Sequence, residues 1–95
     1  MNNPGFIYII SNPSFPTFYK VGVTENIKDR LKAYQTCDPR RSYKVEYYIE
    51  HSDPYKAEKE IKEMLHYFAT QQRNEWYQID LSILKVRLDE TLLEK

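Results

Sequence analysis

Ninety-five residues leave room for one domain, 1–95, with a modest core, so an active site would have to lie on the surface or in a shallow groove. Fourteen basic and fourteen acidic side chains cancel, which removes any global sign of a polyanion partner and leaves only local clustering to supply one. Cys37, the sole cysteine, excludes an internal disulfide; with His51 and His66 scattered, the sequence offers no paired ligand spacing for a structural metal, and no apolar run approaches membrane-spanning length.

Met1 precedes polar residues and Pro4 instead of a basic and apolar leader, so the expected location is cytoplasmic. "GFIYIIS" (5–11), β-branched and aromatic, predicts a strand buried on both faces, ended by the breaker segment "NPSFPT". "TFYKVGV" (17–23) predicts its antiparallel partner. In "TENIKDRLKAYQ" Asn26 can cap a helix, with Asp29 three residues on and Ile27, Leu31 and Tyr34 at helical spacing; Pro39 ends it. "YKVEYYIEH" (43–51) is dense in strand formers. "SDPYKAEKEIKEMLHYF" is the clearest helix, with Asp53 as cap, Pro54 in the first turn and a stripe of Ala57, Ile61, Met64, Leu65 and Phe68. A polar connector, "ATQQRN", leads to "EWYQI", a short aromatic strand or extended segment whose Trp76 and Tyr77 suit a core. Leu81, Leu84, Leu88 and Leu92 mark a closing helix. The expectation is a small α/β domain: a three-stranded, mainly antiparallel sheet with about three helices, in the order β-β-α-β-α-(β)-α.

Several polar residues stand where packing alone does not need them. Tyr8 lies in the first strand, and Lys20 in the second, two residues before Gly22. Arg30 and Tyr34 are four apart and share a helix face. Glu58 follows Ala57 and so borders a buried stripe. Taken singly, Tyr8 and Tyr34 suit ordinary packing, Lys20 suits an edge-strand charge, and Arg30 and Glu58 suit solvated helix faces.

Together and in order they resemble the GIY-YIG nuclease superfamily. "GFIY" (5–8) resembles the first motif, with Phe6 at the usual glycine position, and "KVG" (20–22) the second. "VTENIKDR" then places Thr24 and Arg30 at the family spacing, and Tyr34 falls where many members carry histidine. "AEKEIKEML" (57–65) looks like the helix that supplies the metal-binding glutamate, and "NEWYQI" (74–79) like a closing signature. The likeness covers residues 5–80. Lys-Ile-Gly or Lys-Val-Gly as second motif marks the meiotically up-regulated gene type of domain, a branch common in phage, for which the location would be the host cytoplasm.

The resemblance implies an endonuclease acting on DNA, with RNA left open, and a catalytic group of Tyr8, Lys20, Arg30, Tyr34 and Glu58. Glu58 would hold one Mg2+ or Mn2+, with water and phosphate as the other ligands. Arg30 would fork onto a non-bridging oxygen, and Tyr8 would orient the attacking water or assist its deprotonation. Lys20 is either a general base, if desolvation and Arg30 lower its pKa, or a phosphate-binding charge; Gly22 leaves room for backbone or phosphate to approach. Arg40, Arg41, Lys44 and Arg73 are either a nucleic-acid-binding patch or a solvated surface. Because the charge balances, DNA affinity would come from a homodimer or a partner protein. The alternative is a catalytically inactive nucleic-acid-binding or interaction module on the same fold.

Overall fold

The structure, a computed structural model, describes residues 4–93, with backbone alone for 92 and 93, so Leu92 of the closing stripe lies outside the described side chains. Its elements run β1 (Gly5–Ser11), β2 (Phe18–Thr24), α1 (Ile27–Thr36), β3 (Lys44–His51), α2 (Pro54–Phe68), β4 (Gln71–Arg73), β5 (Trp76–Gln78) and α3 (Leu81–Leu93). Among the described residues, no helix is long and apolar enough to cross a membrane.

The sheet has five antiparallel strands in the order β3-β1-β2-β5-β4, not the three expected. β5 adds to β2 through Phe18 opposite Gln78 and Tyr19 opposite Tyr77, and β4 closes the edge. β4 is the part of the polar connector that reads least like a strand. Gln71, Gln72 and Arg73 are all exposed, so neither alternation nor apolar content marks them. What makes them a strand is a tight turn at Asn74 and Glu75, where Asn74 takes φ 56, a left-handed conformation that asparagine tolerates better than most residues.

β1 pairs on both edges, with β2 and β3. Ile7, Ile9 and Ile10 are fully buried and Tyr8 nearly so, which is why this strand reads as a continuous apolar run instead of an alternating one. Ile7, Ile9 and Val21 face Ala57, Ile61 and Leu65 of α2 and Leu84 and Leu88 of α3, which form the main core with Tyr77 and Ile79. Side chains alternate along a strand, so Tyr8 and Ile10, with their partners Gly22 and Lys20, lie on the opposite face. That face meets α1. Asn26 caps α1 as expected, its side chain accepting from Asp29 N–H at 3.1 Å, yet α1 buries none of its residues fully. Ile27, Leu31 and Tyr34 are only half-buried, because the second face of the sheet is covered thinly.

Candidate active site

Tyr8 is the centre of the polar group. Its cross-strand partner is Gly22, and the phenol ring lies directly over that glycine. A Cβ built on Gly22 would stand 2.5 Å from Tyr8 Cζ and collide with the hydroxyl. The missing side chain therefore makes room for the tyrosine, not for substrate or phosphate as the sequence suggested. Held there, Tyr8 Oη lies 3.1 Å from Tyr34 Oη, with the two rings edge-to-face at 6.3 Å.

Lys20, next on the same face, places Nζ 5.4 Å from the centre of the Tyr34 ring and 3.0 Å from Glu75 Oε1. Glu75 is supplied by the turn between β4 and β5, the hairpin that the sequence did not announce. Nothing in its spacing marks it as the lysine's partner. Burial pulls the Lys20 ammonium down, but its pairing with Glu75 and the nearness of Tyr34 outweigh that and hold its pKa above the ordinary lysine value. The lowered pKa that a general-base role for Lys20 would require is therefore not what its surroundings produce. The Glu75 carboxylate is pulled below its ordinary range, first by its hydrogen bond to Lys20.

Tyr8 is displaced further. Burial raises its pKa far above the ordinary tyrosine value, the Tyr34 hydrogen bond adds to this, Arg30 opposes it and Glu58 reinforces it. Two conclusions follow. The phenol is un-ionised at any pH near neutrality, and both the guanidinium of Arg30 and the carboxylate of Glu58 stand within electrostatic reach of it. Tyr34 thus meets the Tyr8 hydroxyl directly, Lys20 lies beside the Tyr34 ring, and Arg30 and Glu58 act on Tyr8 through their charge.

Arg30 is exposed and borders a groove of about 390 Å³ lined also by Thr24, Glu25, Asn26, Asp29, Ala33 and Tyr55. Among the described residues it has no carboxylate within salt-bridge distance. Glu58 is half-buried, with Lys62 Nζ 3.4 Å from Oε2 one helical turn on. No cluster of three His, Cys, Asp or Glu occurs among the described residues. That donor set suits a hard cation that keeps most of its water and takes a single protein carboxylate, as Mg2+ does, and does not suit a closed protein cage.

The four outlying cations divide. Lys44 is paired with Glu46 at 3.9 Å. Arg40 and Arg41 ride on a loop that the Asp38 carboxylate holds through the backbone N–H groups of Arg40 and Ser42, at 3.0 and 2.8 Å. Arg73 stands on β4 opposite Trp76. Trp76 itself is half-buried, whereas Tyr77 is fully in the core.

The polar group is thus a phenol pair with an ammonium beside it, on the thinly covered face of a small antiparallel α/β sheet. The T5orf172 domain model matches residues 5–92, and the chain belongs to that family, which is associated with endonuclease-like domains. The match extends past the aromatic hairpin to take in α3. No curated protein and no solved structure matches.

Proposed function

We propose that this chain is a metal-dependent endonuclease of GIY-YIG type, of the branch with Lys-Val-Gly as second motif, hydrolysing phosphodiester bonds in DNA with one Mg2+ or Mn2+. The observation that carries the reading is the 3.1 Å contact between the Tyr8 and Tyr34 hydroxyls, with Lys20 beside the Tyr34 ring and the charges of Arg30 and Glu58 felt at Tyr8.

Attack by water forms one phosphorus–oxygen bond and breaks another, so the nucleophile must lose a proton and the departing oxygen must gain one. At this open face both exchange with solvent. Tyr8, neutral and fixed by Tyr34 and Gly22, orients the water by hydrogen bonding and is not an anionic base. Lys20 stays an ammonium and acts as a charge for a phosphoryl oxygen, so of its two possible roles general base is disfavoured. Arg30, exposed and with no acid partner among the described residues, forks onto a non-bridging oxygen where charge develops. Glu58 would hold the cation, which when bound supplies positive charge at the phosphate and polarises water.

Purified protein is expected to nick plasmid in Mg2+ or Mn2+ and not in EDTA. Arg30→Ala should reduce the rate on the order of a hundred- to a thousandfold, and Glu58→Ala should abolish metal-dependent cleavage, with melting curves unchanged. Undiminished cleavage by Glu58→Ala would remove the metal assignment. A second reading, a non-catalytic nucleic-acid-binding module, draws on one observation: the Lys20 ammonium is already neutralised by Glu75. It expects salt-sensitive binding without cleavage in any divalent metal.

A further inference from the structure

The aromatic contacts that begin at Tyr8 do not end at Tyr34. Tyr34 packs on Tyr43 with ring centres 5.1 Å apart, Tyr43 on Trp76 at 6.2 Å, and Trp76 meets Phe15 edge-to-face at 4.7 Å. Beyond Tyr43 the run opens into a groove of about 300 Å³ lined by Phe15, Phe18, Arg73, Asn74 and Trp76. That volume is at the lower end of small-ligand pockets. None of these rings belongs to the main core, and Phe15, Phe18 and Trp76 each keep part of their surface in solvent. Fold stability does not account for three large aromatics left half-open around one hollow.

Charge says what the hollow fits. Arg73 lines it, and Arg40 and Arg41 lie three and two residues before Tyr43 on the loop that enters β3. Among the described residues, none of the three has a carboxylate within salt-bridge distance. The nearby acids are committed elsewhere: Glu75 to Lys20, and Asp38 to backbone N–H groups and to Asn12 Nδ2 at 3.2 Å. That last bond ties the Arg40–Arg41 loop to the loop carrying Phe15, so cations and rings are held in one frame. Flat π faces with unneutralised cations along the same path are the features that bind single strands: rings take exposed bases, and arginines follow the phosphates. A duplex keeps its bases stacked inside and offers such a groove only its backbone.

We propose that this groove is a stacking subsite for an unpaired base of single-stranded DNA, whose strand continues past Tyr43 toward Tyr34 and Lys20. The proposal rests on the nuclease reading for its direction, and it names the substrate class: DNA with a single-stranded segment beside the bond to be cut.

Trp76 is the only tryptophan in the chain, so its fluorescence reports directly on the groove. The experiment titrates the full chain, in EDTA and at low salt, with a short oligothymidylate, an abasic strand of equal length, a blunt duplex and an oligouridylate. Oligothymidylate should quench the fluorescence saturably, the abasic strand should not, and the duplex should do so only weakly. Phe15→Leu and Phe18→Leu, which keep apolar bulk but remove the π face, should each weaken binding about tenfold or more, with unchanged melting curves. Arg73→Ala should weaken it and reduce its salt dependence by about one phosphate contact. Equal binding of the abasic strand, equal quenching by duplex, or indifference to both leucine variants would overturn the subsite, and tighter binding of oligouridylate would overturn its assignment to DNA. The two readings fail separately. Plasmid cleavage without quenching keeps the nuclease and removes the subsite, whereas quenching that persists in a protein inert with every metal keeps the subsite and removes the nuclease.

Discussion

Gly22 shows how one absent side chain arranges a site. Tyr8 is 3% exposed, with its ring over the glycine backbone and its hydroxyl held to Tyr34 at 3.1 Å. A methyl group on Gly22 would meet the rigid end of the ring, which cannot yield as a flexible chain could. Gly22→Ala is therefore expected to destabilise the protein by about 1–3 kcal/mol, as overpacking does, and to cut activity by turning the Tyr8 hydroxyl out of line. Urea denaturation with a parallel nicking assay checks this; a variant as stable and as active as the parent would show that the ring has somewhere else to go. The neighbouring Lys20–Glu75 pair is built for pH tolerance. The lowered Glu75 pKa gives stability present above about pH 4.5 and lost on acidification, and the raised Lys20 pKa gives stability lost only as pH rises beyond 10.5, so the pair persists across the interval between. It is near the surface and its contribution to stability is small, about 0–1 kcal/mol, so its importance is in positioning.

Among the elements, α1 carries the most function on the least packing. It presents Arg30 and Tyr34, yet buries no residue fully. Its stability then leans on local devices: the Asn26 side chain on Asp29 N–H, the Thr24 hydroxyl accepting from Asn26 N–H, and Gln35 bridging to the Tyr43 backbone through both ends of its amide. Asn26→Ala should cost about 1 kcal/mol and should raise amide exchange in α1 well before α2 or α3. Uniform exchange across the three helices would mean that the cap is redundant. The β4–β5 hairpin is the counterpart on the other side of the site. Its strands are three residues each, but its turn delivers Glu75 to Lys20, and its second strand delivers Trp76 to the groove.

For the molecule as a whole, the nine tyrosines serve both faces of the sheet: Tyr77 sits in the main core with Tyr19 and Tyr47 against it, whereas Tyr8 and Tyr34 meet on the second face. Burial heads the causes that raise the pKa of Tyr8, Tyr19 and Tyr43, and the hydrogen bond to Asp89 heads those for Tyr47. A phenol whose folded pKa lies above its unfolded 10.0 binds its proton more tightly in the native state, so stability falls as pH rises past 10.0. Denaturation midpoints should therefore be steady below that pH and decline above it, and Tyr8→Phe should lessen the decline because its shift is the large one. An equal decline in Tyr8→Phe would place the cost on the other phenols. Charge is likewise unremarkable in total and uneven in place: 14 against 14 overall, while Arg30, Arg40, Arg41 and Arg73 are left without acid partners among the described residues.

Local pattern was sufficient wherever an element announces itself in its own residues. The run "GFIYIIS", the cap at Asn26 and the stripe Ala57–Ile61–Leu65 were legible because burial on both faces, an N-cap and helical periodicity are properties of short segments. Family spacing picked out Tyr8, Lys20, Arg30, Tyr34 and Glu58, and of these the fold joins Tyr8 to Tyr34 by their hydroxyls and sets Lys20 beside the Tyr34 ring. Tertiary structure alone decided what depends on meetings across the chain. Gln71–Arg73 became a strand because an asparagine turn folds them onto Trp76–Gln78, whose register against β2 is fixed by Tyr19 and Tyr77. That pairing in turn brings Glu75 to Lys20, separated by 55 positions, and fixes the protonation of a lysine whose role the linear order left open. Electrostatic state is a property of neighbours in space, and only the folded sheet supplies them.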